Sequence, residues 1–211
     1  MRIAIISDVH GNLPALEAVL KDIGHVDQII CLGDVVNYGP WSNECVDLLS
    51  EIDNCFLLQG NHERCFLQGR YDGKNQIAST FFDFCIGKFD RFRKIANLSE
   101  KFLMEHYTLQ HTIEGRNIYP DSKVHLDRDY VIGHSHHQFR ILKSPFCLYN
   151  AGSVGQNRKI ISRANYLIYR KKEDIMELKG IPYDVNLLIS RMKADRYPEM
   201  CLKYYLEKVI V

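Results

Sequence analysis

The beginning of the chain alternates short apolar segments with amphipathic ones, and this alternation limits the fold more than any other feature. The apolar segments Arg2–Ser7, Gln28–Leu32 and Cys55–Leu58 have the length and the β-branched content of strands buried on both faces. A helical spacing of apolar residues follows the first two segments, with Asn12 and Ser42 as candidate N-terminal caps. Strands that alternate with helices form parallel β-α-β units, so we predict an α/β fold built on a parallel sheet.

The rest of the chain predicts one long helical region and a second group of strands. The helical pattern runs over residues 75–106, and its aromatic side chains are interpreted as core residues rather than a base-stacking surface. Short strands are predicted at Thr108–Gln110, Tyr130–Ile132, Phe139–Leu142, Cys147–Tyr149, Tyr166–Tyr169 and Ile175–Leu178. The last two should form a hairpin, and residues 185–211 should form two helices that break near Tyr197 and Pro198.

Length and composition favour a globular chain with one core. The chain has 211 residues, 46% of them hydrophobic and 25% charged, without a repeat, low-complexity tract or long linker. We expect one domain over residues 1–211, with a sandwich at 1–180 and a helical tail at 181–211. With 27 basic against 26 acidic side chains, the net charge of +1 argues against stable nucleic-acid binding, which needs a basic face.

The cysteines and the N-terminal segment indicate a reduced compartment. The seven cysteines are an odd number without a C-x-x-C spacing, which disfavours both a disulfide framework and a zinc ribbon. The apolar run Ile3–Ile6 is shorter than a signal peptide needs, and no stretch reaches the roughly 18 apolar residues of a membrane span. We therefore expect a cytoplasmic protein without a membrane partner.

Polar clusters follow the predicted strands at the points where these strands end. The clusters are Asp8 with His10, Gly33-Asp34, Gly60-Asn61-His62-Glu63, His111, and Gly133-His134-Ser135-His136. Because loops at the carboxyl ends of strands meet at one edge of an open α/β sheet, we expect these side chains to converge. Carboxylate, amide and imidazole groups suit divalent transition metals such as Mn, Fe, Co, Ni or Zn. The absence of cysteine among them argues against a structural zinc site.

Each cluster alone has a plain structural explanation. Asp8 can cap the following helix, His10 can be an ordinary loop histidine, and Gly33-Asp34 is a common turn. The Gly-Asn-His segment can likewise be a left-handed turn, whereas two histidines at positions 134 and 136 are harder to explain in that way. The conjunction of all the clusters, each at a strand end, indicates a site rather than coincidence.

In this order the clusters resemble the signature of the calcineurin-like metallophosphoesterase superfamily, in particular its small single-domain bacterial and archaeal phosphoesterases. The signature reads D-x-H, G-D, G-N-H-[D/E], a lone H and G-H-x-H, and every part is present. The resemblance extends to Ser7–Glu17, Leu32–Pro40 and Asn150–Gly155, and covers roughly residues 1–180. It implies a four-layer α-β-β-α sandwich, in the α/β (α+β) class, with two metals at the C-terminal ends of the strands. It also implies a hydrolase in which a hydroxide bridging the metals attacks phosphorus in line.

The resemblance further implies a role for each site residue. The first metal would be held by Asp8, His10, Asp34 and His136. The second would share Asp34 and be completed by Asn61, His111 and His134. His62 would lie just outside the metals and stabilise the oxyanion or donate a proton to the departing alkoxide. The two divalent cations are expected to be Mn, with Fe, Zn, Ni or Co as alternatives.

Several positions leave alternatives. The lone histidine reads His111-Thr112 where the family has His-Gly, so His106 and His125 compete with it, although we favour His111. Glu63 is either an orienting partner of His62 or a solvated loop carboxylate. His137 is interpreted as an outward-facing neighbour of the site. Candidate substrate contacts that fit caps and turns equally well are Asn12, Asn37, Tyr38 and Arg64.

The expected function is hydrolysis of a phosphodiester or phosphomonoester, with a small phosphate ester or a nucleotide as the substrate. A second hypothesis is hydrolysis of dinucleoside polyphosphates, because small hydrolases of that kind share the Asp-x-His-Gly-Asn opening. A third, non-enzymatic hypothesis is a scaffold on the same fold, which typically loses metal ligands that this sequence retains. The C-terminal helices can pack on their own domain or form an oligomer interface.

Overall fold

A computed structural model describes residues 1–208 and residue 210 of the chain. The strands are β1 (Arg2–Ile6), β2 (Gln28–Cys31), β3 (Cys55–Leu57), β4 (Lys101–Met104), β5 (Tyr107–Gln110), β6 (Asp129–Ile132), β7 (Gln138–Lys143), β8 (Phe146–Ala151), β9 (Arg163–Arg170) and β10 (Ile175–Pro182). The helices are α1 (Leu13–Ile23), α2 (Ser42–Ser50), α3 (Asn61–Gln68), α4 (Gln76–Ile86), α5 (Phe92–Ile95), α6 (Val185–Ala194) and α7 (Glu199–Leu206).

The first sheet contains the predicted β-α-β units. Its strand order is β10-β9-β1-β2-β3, in which β1, β2 and β3 are parallel and β9 and β10 form the predicted antiparallel hairpin. Side chains alternate along β1, so that Ile3 and Ile5 face the second sheet whereas Ala4 and Ile6 face the helices. Because both faces of this strand are buried, its sequence is a continuous apolar run.

The second sheet packs its inner face against the first, through side chains such as Leu109 and Val131. Its strand order is β4-β5-β6-β8-β7, with β5, β6 and β8 parallel. The predicted sandwich of the α/β class is thereby confirmed. On the outer face, Ile118, Val124 and Leu126 from the chain between β5 and β6 bury the sheet. Within the described residues, irregular chain and not a helix forms this outermost layer.

The C-terminal helices pack onto the helical layer of the first sheet. The predicted break near Tyr197 and Pro198 is confirmed, since α6 ends at Ala194 and α7 begins at Glu199. Helix α6 lies against α1, and α7 lies against α4, where the ring centroids of Tyr205 and Phe81 are 6.0 Å apart. Over the described residues, none of the helices combines the length and the apolar character that a bilayer crossing requires.

The prediction of a helical region over residues 75–106 is wrong in its second half. Helix α4 stops at Ile86, and after the short α5 the chain enters β4, which pairs antiparallel with β5. The exposed fraction alternates along β4, from 74% at Leu103 to 4% at Met104. This alternation has the period of a strand, and the aromatic spacing before it concealed the change.

Two further differences concern helix starts. Ser42 is not an N-terminal cap: Trp41 holds that position without a side-chain bond, and the Ser42 hydroxyl accepts a hydrogen bond from Asn37 N at 3.1 Å. Helix α3, which begins at Asn61, was not predicted. The predicted cap at Asn12 is confirmed, because its side chain accepts a hydrogen bond from the backbone of α1.

Candidate metal centre

The loops after five strands bring all eight predicted site residues to one end of the sandwich. In chain order these residues are Asp8, His10, Asp34, Asn61, His62, His111, His134 and His136. They come from both sheets, because β1, β2 and β3 precede the first five residues and β5 and β6 precede the last three. Asp8 and His10 have no exposed surface, and only Asn61 and His134 of the eight are partly exposed.

The backbone is strained at most of these positions. The residues with a left-handed backbone are Asp8 (φ 55°), His10 (φ 51°), Asp34 (φ 54°), His134 (φ 68°) and His136 (φ 60°). For residues other than glycine, each such conformation costs on the order of 1 kcal/mol or more and persists where the surrounding structure enforces it. Because these conformations are concentrated at one place, we infer that the loop backbone is set by the need to direct the side chains toward the site, and not by local backbone preference.

Two glycines allow the loops to approach this closely. A Cβ atom on Gly60 would lie 2.2 Å from Oδ1 of Asp34, and a Cβ atom on Gly133 would lie 2.5 Å from Oδ2 of Asp8. Neither distance is compatible with a side chain, so both positions require glycine.

Each of the two carboxylates has one oxygen held by the protein. Oδ2 of Asp8 accepts hydrogen bonds from the Ser7 hydroxyl at 2.6 Å and from His134 N at 2.9 Å. Oδ1 of Asp34 accepts a hydrogen bond from His62 N at 2.8 Å. The second oxygen of each carboxylate, Oδ1 of Asp8 and Oδ2 of Asp34, faces imidazole nitrogens. Rigid carboxylates with one free oxygen are well suited to bind a cation.

Asp8, His10 and His136 form a first group of potential ligands. Oδ1 of Asp8 is buried without a hydrogen-bond partner and lies 3.2 Å from Nε2 of His136 and 3.7 Å from Nε2 of His10. The two Nε2 atoms lie 3.1 Å apart. One carboxylate oxygen and two ring nitrogens thus surround a single point.

Asp34, His111, His134 and Asn61 form a second group. Nε2 of His111 lies 3.1 Å from Oδ2 of Asp34, 3.1 Å from Nδ1 of His134 and 3.0 Å from Oδ1 of Asn61. The same Asp34 oxygen lies 4.0 Å from Nε2 of His10, which belongs to the first group. Asp34 therefore lies between the two groups.

Backbone carbonyls determine which nitrogen carries the hydrogen in three of the imidazole rings. The Nδ1-to-carbonyl pairs are His10 with Val36 (3.2 Å), His111 with Leu32 (3.1 Å) and His136 with Gln156 (2.9 Å). A carbonyl oxygen only accepts, so each Nδ1–H donates, and each ring in its deprotonated form directs an Nε2 lone pair into the site. Lone pairs that face each other at 3.1 Å repel unless a cation lies between them. This nitrogen and oxygen donor set, with rings oriented by carbonyls, fits divalent metal ions.

The charges of the site follow from burial and proximity. Burial by itself would raise the pKa of Asp34, but the neighbouring His111 and His62 hold that pKa well below its usual range. Burial lowers the pKa of His134 to about 4 and that of His136 to about 3. At neutral pH, therefore, Asp34 is a carboxylate and these two rings are neutral, which is the state in which they can bind a metal. Burial by itself would lower the pKa of His111, but the adjacent Asp34 raises it to about 9, so this ring is protonated in the free protein and must lose a proton to bind a metal.

His62 lies beside both groups, among aromatic rings. Its ring centroid is 5.4 Å from that of Tyr38 and 6.1 Å from that of Tyr71, with which it is nearly parallel. Its Nδ1 lies 2.9 Å from the side-chain amide of Asn37, and its Nε2 lies 3.9 Å from Oδ2 of Asp34. Burial lowers the pKa of His62 to about 3. The contact with Asn37 orients the ring. The sequence predicts Asn37 only as a substrate contact or a turn residue, so this role is a finding of the structure.

Neither interpretation of Glu63 is right. The carboxylate is fully buried, and its partners are backbone N–H groups and not the ring of His62. It accepts hydrogen bonds from the backbone nitrogens of Gly60 (2.8 Å), Asp34 (2.8 Å), Val35 (2.7 Å) and Val36 (3.2 Å). Glu63 therefore ties the loop after β2 to the start of α3, and so fixes the position of Asp34.

The remaining candidate residues lie outside the two groups. His106 is in the turn between β4 and β5, where Asp129 and Asp174 lie about 4 Å away, and His125 is exposed. His137 is half-buried and packs against the ring of Tyr119. Two of the candidate substrate contacts, Asn12 and Arg64, have different surroundings. The Asn12 amide donates to Gly155 O and to the Tyr183 hydroxyl, whereas Arg64 lines a cavity next to His111.

Comparisons with known proteins show which family the chain is similar to. The profile of the calcineurin-like phosphoesterase family matches residues 1–174. The uncharacterised protein MJ0912 of Methanocaldococcus jannaschii is 31% identical to this chain, with 93% of this chain and 94% of that protein covered.

Solved structures show the same fold. A metallophosphoesterase from Sphaerobacter thermophilus superposes with a TM-score of 0.82 at 27% identity, covering 99% of both chains. The hypothetical protein PH1004 from Pyrococcus horikoshii OT3 superposes with a TM-score of 0.80 at 14% identity, covering 97% of both chains. The chain therefore belongs to the calcineurin-like phosphoesterase family, and with it to the metal-dependent hydrolases that act on phosphoric ester bonds.

Proposed function

We propose that the protein hydrolyses a small phosphate ester with the help of two divalent metal ions, manganese being the leading candidate. The first ion would be held by Asp8, His10, Asp34 and His136, and the second by Asp34, Asn61, His111 and His134. The observation that carries this proposal is that Nε2 of His10 and Nε2 of His136, in rings whose Nδ1 atoms are held by backbone carbonyls, face each other at 3.1 Å beside an unpartnered oxygen of Asp8. In the second group, Nε2 of His111 lies 3.1 Å from both Nδ1 of His134 and Oδ2 of Asp34. The position of Asp34 between the groups supports its role as the shared ligand.

The chemistry divides between the ions and the chain. When bound, divalent cations supply Lewis acidity toward the phosphoryl oxygens and toward the attacking water. The water oxygen bonds to phosphorus and its proton passes to solvent, the bond from phosphorus to the leaving oxygen breaks, and His62, protonated in the substrate complex, gives its proton to that oxygen. Proton donation of this kind typically contributes about 10²–10⁴-fold to the rate.

The surroundings of His62 suit this role. In the free protein burial lowers the pKa of its ring to about 3, so the ring is neutral. A phosphate dianion beside it favours the protonated form, because an opposite charge nearby raises the pKa of a histidine. Protonated Nδ1 then needs an acceptor, and Oδ1 of Asn37 is buried without a hydrogen-bond partner. Rotation of the Asn37 amide would present that oxygen to Nδ1, so one residue can serve both states of the ring.

Cavities on two sides of the site support a small substrate. A cavity of about 420 Å³ adjoins His111, with Arg64, Lys101, Glu100 and Glu114 in its lining, so its charges are mixed. A second cavity of about 160 Å³ adjoins His62. Asn61 and His134 line both cavities, so a substituent on either side of the reacting phosphorus can be accommodated. The two cavities therefore support both phosphodiesters and phosphomonoesters as substrates, and they support nucleotides within these classes.

We also propose a cytoplasmic location. All seven cysteines are free thiols, and burial raises the pKa of several of them, Cys31 and Cys45 among them. Unreactive, unpaired thiols in this number are typical of a reducing compartment.

The test is a substrate panel combined with elemental analysis. We expect manganese-loaded protein to hydrolyse at least one of a generic monoester, a generic diester and a dinucleoside polyphosphate, and the preferred substrate decides between the phosphoesterase and the polyphosphate hydrolase. Asp34→Asn should abolish that activity and reduce the bound metal. Bound metal without hydrolysis of any substrate, or no bound metal at all, would instead favour a non-catalytic scaffold.

A further inference from the structure

The cavity beside His62 has one strongly cationic residue in its lining. Its lining joins four of the predicted metal ligands to Tyr71, Asn75 and Asn117, and Arg158 is its sole lysine or arginine. The four ligands are Asp34, Asn61, His134 and His136. The volume of about 160 Å³ is below the roughly 300 Å³ at which pockets for drug-sized ligands begin. The cavity can therefore take a small polar group next to His62, and not a nucleoside.

Arg158 has no anionic partner of its own. Among residues 1–208 and 210, no carboxylate lies within 4.0 Å of its guanidinium group, which is solvent-exposed. Its Nη1 donates hydrogen bonds to the Tyr204 hydroxyl and to Oε1 of Gln156, the latter at 3.4 Å. The other guanidinium N–H groups remain free to bind an anion.

Tyr204 places Arg158 at this position. The Tyr204 hydroxyl donates to Oε1 of Gln156 at 2.9 Å, and its ring packs against Phe81 with a centroid distance of 5.8 Å. The backbone carbonyl of Gln156 in turn accepts the hydrogen bond from Nδ1 of His136. Helix α7 thus connects to the site through Gln156, although it lies beyond residues 1–174, which match the family profile.

We propose that Arg158, positioned by Tyr204, binds a negatively charged group carried by the leaving group of the substrate. The assignment rests on the proposed function, in which His62 protonates the leaving oxygen, because the cavity of Arg158 is the one beside His62. A guanidinium binds phosphate or carboxylate through two parallel hydrogen bonds, so the substrate class is a phosphate ester or anhydride with a small anionic leaving group. Metal ligands and Arg158 line the same cavity, so the reacting phosphoryl group would face the ligands while the leaving group extends toward Arg158.

A matched set of substrates tests this assignment on the full-length protein loaded with manganese. Phenyl phosphate has a leaving group without a charged substituent, 4-carboxyphenyl phosphate adds a carboxylate to the same ring, and inorganic pyrophosphate has phosphate itself as the leaving group. Arg158→Gln should lower kcat/KM for at least one anionic substrate about 10- to 100-fold more than for phenyl phosphate. Which anionic substrate is affected distinguishes carboxylate from phosphate.

Four outcomes would overturn the assignment. An equal loss on all three substrates would mean that Arg158 binds the reacting phosphate or supports the fold, and no loss on any would mean that it binds nothing. If the wild-type protein hydrolyses neither these substrates nor any member of the panel above, the proposed function fails, and the assignment fails with it; hydrolysis of the generic diester alone would overturn the assignment only. Every outcome except the absence of all hydrolysis leaves the proposed function intact, so the two failures are distinguishable.

The role of Tyr204 has a matched control one residue along the helix. Tyr204→Phe removes the hydroxyl that contacts Arg158, and we expect the same shift in substrate preference, smaller in size at about 2- to 10-fold. Tyr205→Phe removes a neighbouring hydroxyl that accepts from Nε2 of Gln156 at 3.3 Å and does not contact Arg158. An equal shift in both variants would overturn the positioning role of Tyr204.

Discussion

At the scale of single residues, the site depends on side chains that hold other side chains. Asp34 faces His111 with one oxygen while the backbone of His62 holds the other, and Glu63 secures the loop that carries Asp34. The order of the polar clusters along the sequence was sufficient to predict which residues meet. It was not sufficient to predict the partners of Glu63 or Asn37, because these contacts depend on how two loops fold against each other.

Replacement of Glu63 by glutamine should weaken the fold. Glutamine places an NH₂ group against backbone N–H donors that now share a carboxylate, so at least one buried donor loses its acceptor. We expect the free energy of unfolding to fall by about 3 kcal/mol, measured by urea denaturation. Glu173→Gln, at an exposed turn, is the control and should change it by less than about 0.5 kcal/mol. Equal effects of both variants would contradict the structural role of Glu63.

Replacement of His62 by asparagine should separate catalysis from metal binding. The ring lies beside the two ligand groups, and its nearest carboxylate oxygen, Oδ2 of Asp34, is 3.9 Å away. We expect kcat to fall about 10²–10⁴-fold while elemental analysis finds the same metal content as in the wild-type protein. Loss of one metal ion from this variant would mean that His62 is a ligand instead.

At the scale of elements, the site residues follow the ends of the strands, and the strained backbone conformations lie in the loops that carry them. Strands such as β1 were predictable because burial on both faces leaves an uninterrupted apolar run. Strand β4 was not predictable from the sequence. An edge strand of four residues gives only two alternations of buried and exposed side chains, and β4 follows a stretch with helical aromatic spacing. Helix α3 begins inside the polar cluster at Asn61, which makes its start look like part of a loop.

A methyl group at Gly60 should disrupt the junction between β3 and α3. The added Cβ atom would meet Oδ1 of Asp34 at 2.2 Å and the backbone nitrogen of the same residue at 2.4 Å. We expect Gly60→Ala to lower the free energy of unfolding by about 2 kcal/mol or more and to weaken metal binding in a calorimetric titration. Gly87→Ala is the matched control, since nothing lies within 4 Å of its Cβ position and its φ of −67° suits alanine. Its effect should be neutral or slightly stabilising, and the claim fails if Gly60→Ala behaves in the same way.

At the scale of the whole molecule, two sheets packed face to face bring residues from distant parts of the sequence to one end. The fold class was predictable, because the order of motifs resembled one family and the family match over residues 1–174 confirms it. The irregular outer layer was not predictable, because Ile118, Val124 and Leu126 cover the outer face of the second sheet without any periodic spacing in the sequence. The division into one domain with a helical tail stays a prediction, and so does the role of each ligand.

The most direct measurement is anomalous X-ray diffraction from crystals grown with Mn²⁺. We predict two manganese peaks in each chain, one at Asp8, His10 and His136 and one at Asn61, His111 and His134. Both should lie within about 2.0–2.3 Å of the same Asp34 carboxylate oxygen or of its two oxygens. A single peak, or peaks at these groups without contact to Asp34, would contradict the shared-ligand account, and the absence of any peak at this end of the sandwich would contradict the metal site itself.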